Sequence, residues 1–292
     1  MNFILLIYAH VNIKEEVIMK NHLDFNTREL FSSYMKLVDV PQLSFEETTE
    51  PAFYGKKLGL VNGSAWIQLW SYYFGRLYLP GVKLVNVGNE AIQLNFMKAH
   101  SEGKPCPPQK NIELFARYAR DLVELAGVDA ILITCSTMNR SLPYVRDAVS
   151  EFGIPVVQID EPMMEKAVRN GGRILVIATH GPTVKNTQQL LEETASRMGK
   201  ANSLQYEGAT VEEAFHLLGE GKIDEHNELI ADAIRNQQKI RPVDQVVLAQ
   251  LSMSVFKLSY PDPEKTFGVP VLTSGEEGFR HIADIFRSIH KK

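Results

Sequence analysis

The stretch "VDAILITCSTM" (residues 128–138) reads as a buried strand that runs straight into polar chemistry. Its first seven residues are mostly apolar and β-branched, the pattern of a strand covered on both faces in a parallel sheet. It ends on the thiol of Cys135, and Ser136, Thr137, Asn139 and Arg140 follow within five residues. Before it, "NIELFARYARDLVELAG" (111–127) spaces apolar residues three and four apart, which predicts a helix beginning at Asn111 and stopping at Gly127. After it, "SLPYVRDAVSEFG" (141–153) predicts another helix and "IPVVQI" (154–159) another strand.

The same order returns further along. "RILVIAT" (173–179) predicts a strand and "TVKNTQQLLEETASRMG" (183–199) a helix ending on Gly199. "TVEEAFHLLGEG" (210–221) carries Thr210 and Glu213 at the spacing of a capping box. The helical pattern "IDEHNELIADAIRNQQKI" and the strand "QVVLA" (245–249) follow. The likeness extends to wording. "VDQVVLAQLSM" (243–253) echoes the opening stretch 115 positions later, and "GVPVLTSGE" (268–276) echoes "GIPVVQIDE" (153–161) at the same offset. "GKKLGLVNGS" (55–64) and "GGRILVIATH" (171–180) match one position further on. Three echoes at nearly one offset predict an α/β protein of two pseudo-symmetric lobes, each a short, mostly parallel sheet flanked by helices. Ligands of such sheets sit beyond the carboxyl ends of the strands, so the cleft between the lobes is the expected site. The first lobe is expected over 55–165 with 278–292, the second over 166–277, and residues 1–54 as an N-terminal extension. Within that extension 26–38 predicts a short helix, a cover for the cleft or an oligomer contact.

At 292 residues, 45% of them hydrophobic, the chain can bury a sizeable core, and a net charge of −4 gives no electrostatic case for nucleic acid or an anionic membrane. Two cysteines rule out a disulfide scaffold and suit a reducing compartment; Cys106, in the Pro-rich "GKPCPPQK", is expected to be a bystander. The apolar run at the N-terminus is about half of the ~20 residues that a membrane-crossing helix needs, and no cleavage site is clear. A cytoplasmic protein is expected, with Met19 as an alternative start. The sequence contains no phosphate-binding loop, no dinucleotide fingerprint and no His/Cys cluster, so neither cofactor nor metal is expected.

Taken in order, "LGLVNGSAWIQLWSYYFGRL", "VDAILITCSTMN", "GRILVIATHGPTVKN" and "VDQVVLAQLSM" resemble the aspartate/glutamate racemase superfamily over about residues 55–290. That superfamily includes hydantoin racemases, maleate isomerases and arylmalonate decarboxylases. The resemblance implies a two-lobed, usually oligomeric enzyme that works without cofactor or metal, with the first cysteine motif at Cys135. Two departures stand out. The Asn that normally follows the first Cys is Ser136, and the second cysteine position is Gln250, followed by Leu251 and Ser252.

Proton transfer at carbon beside a carboxylate needs a base on one face, an acid on the other for inversion, and donors for the carboxylate oxygens. A thiol ordinarily ionises near ~8.5, and the helix start near Ser141 and the guanidinium of Arg140 are expected to lower that for Cys135. Gln250 cannot take or give a proton but can donate hydrogen bonds. His180 is the candidate for the opposite face. Asn62, Gly63, Ser64, Ser136, Thr137, Thr179, Thr183, Gln250 and Ser252 are the expected binders of a small carboxylate. Three functions remain open at this stage: a racemase-type isomerase, a decarboxylase or lyase using one thiol, and a non-catalytic binder of small acids.

Overall fold

The computed structural model describes residues 26–39 and 48–291. The expectations about the first 18 residues and Met19 lie outside them. Contacts divide the chain into one unit ending at Leu43 and one from Ser44 onward. In the first, helix α1 (Thr27–Val38) is capped by Asn26, whose side chain accepts the Glu29 N–H at 3.2 Å.

The second unit is built on two four-stranded parallel sheets of identical topology. The first contains β1 (Lys57–Asn62), β2 (Lys83–Gly88), β3 (Ala130–Ile133) and β4 (Val156–Gln158), in the order β2-β1-β3-β4. The second contains β5 (Arg173–Ala178), β6 (Gln205–Thr210), β7 (Gln245–Leu248) and β8 (Val271–Thr273), in the order β6-β5-β7-β8. The crossovers of the first sheet are α2 (Gln68–Tyr78), α3 (Glu90–Ser101), α4 (Gln109–Ala126) and α5 (Leu142–Ala148), and α6 (Glu161–Asn170) leads out of it. The second sheet carries α7 (Gly181–Arg197), α8 (Glu212–Gly219), α9 (Ile223–Ile240), α10 (Phe256–Ser259) and α11 (Pro263–Phe267), and ends in α12 (Ser274–His290).

The repeated words of the sequence have repeated physical jobs. Val128 and Val243 are buried. The Asp beside each reaches the strand at the centre of its sheet: Asp129 Oδ2 accepts the Lys57 N–H at 2.8 Å, and Asp244 Oδ2 accepts the Arg173 N–H at 2.7 Å. In return the backbone N–H groups of Asp129 and Asp244 donate to the carbonyls of Lys57 and Arg173. Each pair clamps the start of a central strand to its neighbour and so sets the register. Gly153 and Gly268 both take the left-handed conformation that ends a helical turn. The Pro155 and Pro270 carbonyls then accept the N–H of Ile131 and Val246 at 2.9 Å.

The two helices that follow the last strand of each sheet are exchanged. Helix α6 puts Met163, Met164, Ala167 and Val168 into a core with Ile174, Val176 and Leu272 of the second sheet. Helix α12 turns back onto α2 and α6. Its Phe279 and Phe286 rings stand 6.3 and 6.5 Å from those of Phe74 and Phe53.

Some local expectations change. Helix α4 begins at Gln109, not Asn111, whose buried amide instead donates to the Ile92 carbonyl at 2.9 Å. Thr210 is the last residue of β6 and caps nothing; α8 has no side-chain cap. Edge strands β2 and β6 carry Asn86 and Gly208 inside half-exposed patterns that hide the strand signal.

Asp129→Ala and Asp244→Ala are each expected to lower unfolding stability by about 1.5–3 kcal/mol, the scale of a hydrogen bond to a charged acceptor. Urea titration should show a lower midpoint at unchanged slope.

Candidate active site

Parallel register places Val61 beside Ile133, so the chain leaves β1 and β3 side by side. The buried Asn62 ties the two exits together. Its Oδ1 accepts the Ser71 hydroxyl at 2.9 Å and the Thr134 hydroxyl at 2.5 Å, while its Nδ2 donates to Asn86 and the Val87 carbonyl. Gly63 then runs directly under the thiol. A β-carbon there would stand 2.3 Å from Cys135 Sγ, so any other residue would force the thiol to shift, and glycine allows the close approach. The loop is held from outside by Glu90, whose carboxylate accepts the Ala65 and Trp66 N–H groups at 2.9 and 3.2 Å. Cys135 itself precedes a 3₁₀ turn, Ser136–Ser141, with Sγ 3.2 Å from the Thr137 hydroxyl.

The second sheet supplies the facing side. Gln250 precedes the matching 3₁₀ turn, Leu251–Val255. Its Oε1 accepts both the backbone N–H and the hydroxyl of Thr179, at 2.7 and 3.0 Å. Since an N–H can only donate, this fixes the amide's orientation and leaves Nε2 without a partner among the described residues. His180 caps α7 and packs on Phe215 with ring centroids 4.3 Å apart. Trp70 of α2 crosses between the lobes, donating from Nε1 to the Ser252 carbonyl at 3.1 Å.

Between the two sides lies a pocket of about 80 Å³, well below the roughly 300–1,000 Å³ usual for drug-sized ligands. Gly63, Ser64, Cys135, Ser136 and Thr137 face it from the first lobe, and His180, Gln250 and Ser252 from the second. Trp66, Phe96 and Phe215 add apolar walls that the sequence reading had not singled out. Asn62, Thr179 and Thr183 do not line it. The first two hold lining residues in place, and Thr183, buried, donates its backbone N–H to the His180 carbonyl at 3.0 Å.

The electrostatics overturn one expectation. Burial pushes the Cys135 thiol up from its ordinary value, against the hydrogen bonds of Thr137 and the Met138 N–H, and the charge of Asp160 adds to the rise. Arg140 is not among the groups that lower it: its Nη1 donates to both carboxylate oxygens of Glu193, at 2.8 and 2.7 Å, and its buried Nη2 has no hydrogen-bond partner among the described residues. Burial lowers the His180 imidazole below its ordinary value, with Glu212 opposing. Asp160 is a buried carboxyl that the sequence reading passed over. It accepts the Ser136 hydroxyl at 3.0 Å and the Gln158 amide at 2.8 Å, and burial pushes it up to about 6. Its position at the end of β4, in register with Gly275 of the other lobe, was the available signal.

A sequence model of the Asp/Glu/Hydantoin racemase family matches residues 102–282, more than half of the chain. The chain belongs to that family. Solved structures agree in fold. An aspartate racemase homologue from Pyrococcus horikoshii is 19% identical with a TM-score of 0.56, covering 80% of this chain and 99% of its own. Glutamate racemase from Francisella tularensis, in complex with D-glutamate, is 14% identical with a TM-score of 0.58, covering 80% and 82%. Allantoin racemase from Klebsiella pneumoniae is 16% identical with a TM-score of 0.54, covering 81% and 89%. No curated protein matches the chain significantly. Family membership supports racemase-type chemistry, and Ser136 and Gln250 both line the pocket.

Gly63→Ala is expected to push the Cys135 side chain out of its rotamer. The variant should lose about 1–3 kcal/mol of stability, as overpacked sites do. The alkylation rate of Cys135 should change in the folded protein, read by mass spectrometry of the modified peptide.

Proposed function

We propose that the protein is a cofactor-independent isomerase of the racemase type, acting on a small carboxylate such as an amino acid by proton transfer at the carbon beside the carboxylate. The observation that carries this reading is that Cys135 and His180, from opposite lobes, line one small pocket. At neutral pH the half-buried imidazole is uncharged and can accept the α-proton on one face, while the protonated thiol can deliver a proton to the other. The enantiomer needs the converse pair, thiolate and imidazolium, which the forward turnover leaves behind. Gln250 Nε2, with the Thr137 hydroxyl, is assigned to the carboxylate, where donors spread the charge that develops when the α-proton leaves.

A second reading is favoured by the raised thiol. An acid with no cation beside it suits one-sided protonation of an enolate, as a decarboxylase or lyase would require. Proton NMR in D₂O with a panel of amino, hydroxy and malonate-type acids separates the two. Inversion with exchange supports the isomerase; exchange with retained configuration, or carbon dioxide release, supports the one-faced catalyst. No conversion of any panel member would sink both readings for the acids tested. Cys135→Ser is expected to reduce turnover by about 10² to 10⁴, the usual share of a general acid or base. Since His180 works as the neutral base and burial lowers it, kcat/KM should hold as pH falls to ~6.5, the ordinary histidine value, and decline only below it.

A further inference from the structure

The pseudo-symmetry of the fold is broken at two places that carry charge. Cys135 corresponds to Gln250, and Asp160, at the same offset of 115 residues, corresponds to Gly275. Both ionisable groups therefore belong to the first lobe, and neither counterpart can titrate.

Asp160 is built in. It is 3% exposed and has no cation among its hydrogen-bond partners. One oxygen accepts the hydroxyl of Ser136, the residue next to the thiol; the other accepts Gln158 Nε2, which also points at the Cys135 carbonyl at 3.5 Å. Gln158 Oε1 accepts the Asp160 N–H at 2.7 Å in return, closing a small ring. From α12, the buried Ser274 hydroxyl has no partner at normal hydrogen-bonding distance and adds a weaker favourable interaction with the same carboxylate. Glu161, on its own helix, is the charged group opposing it, and is itself paired with Arg146 and Arg197. Burial does most to keep the thiol protonated, and the charge of Asp160 adds to it. A thiolate and an ionised carboxylate without a cation repel strongly in a weakly polar interior.

We propose that Asp160 is a positioning residue for Cys135: its buried carboxylate fixes the turn that bears the thiol and, when ionised, holds that thiol in its protonated, proton-donating form. The proposal rests on the reading of Cys135 as the proton-transferring group. It gives the single-thiol side of the pocket a resting state set by the protein, where the opposite lobe offers only the amide of Gln250 and the imidazole of His180.

The test uses the full-length chain with Cys106→Ala, so that Cys135 is the sole thiol, and follows iodoacetamide alkylation from pH 6 to 10. In Asp160→Asn the Asn oxygen can still accept from Gln158 and its amide can donate to Ser136, so the ring can persist without the charge. Expected is a profile displaced to lower pH, with alkylation at pH 8 faster by roughly threefold for each unit that the thiol falls, because nucleophilicity offsets part of the gain. The thermal midpoint at pH 8 should not drop. A carboxyl raised by burial stabilises the native state fully at low pH and loses that contribution as pH climbs through about 6, so the ionised form is the unfavourable one at pH 8. A folded Asp160→Asn protein whose alkylation profile superimposes on its parent would overturn the proposal. Asp160→Ser, smaller and also uncharged, is read in the same way if the Asn variant does not fold. No substrate is needed, so failure of the isomerase reading appears in the NMR panel and failure of this one in the alkylation profile.

Discussion

Everything at the site depends on the register between a central strand and its neighbour, clamped by an aspartate at the far end. Asp129 accepts the first backbone N–H of β1, and the ladder that follows brings Asn62 and Gly63 out beside Thr134 and Cys135. A slip of one residue would turn every side chain of the strand to the other face. The thiol would then lose both the glycine it lies on and the Thr134–Asn62 bond beneath it. Asp244 does the same for β5 and β7 and delivers Thr179 and Gln250 to a common point. The pocket end of each sheet is thus set at the opposite end, by residues that do not line the pocket.

With the frame so closely duplicated, the chemistry lies in where the duplication fails. Both lobes present a strand, a polar residue, a 3₁₀ turn and a second strand ending near a helix start. On one side those places hold a thiol and a carboxyl; on the other an amide and a glycine. Gln250 is not a spare position. Its carbonyl is held twice by Thr179, which aims its N–H bonds and makes it a fixed donor. One wall of the pocket is therefore suited to moving protons and the other to holding oxygen atoms, with His180 the exception on the second wall.

How much of this could be read from residues alone follows from the range of each interaction. Strands β3 and β7 were legible because burial on both faces leaves an unbroken apolar run. The convergence of Cys135, Gln250 and His180 was legible because strand ends in parallel sheets share one side. Asn111 looked like a helix cap, but its partner is the Ile92 carbonyl, 19 residues away. Arg140 looked like a partner for the thiol, yet Glu193, 53 residues on, takes it. Asp160 showed only its place just past β4, matched by a glycine in the other repeat; what matters about it is burial beside a turn 24 residues earlier in the chain. Periodicity reports what a residue's own element does, and is silent on which distant side chain claims it.

The exchange of the two terminal helices has a consequence for how the chain is made. A ribosome delivers the first sheet, with α2, before the second, and domains generally fold in that order. Yet the rings of Phe53 and Phe74 are covered by Phe279 and Phe286 of α12, which follows the second sheet in the chain. The lobe that is synthesised first is therefore completed only by a helix that follows the last strand of the second.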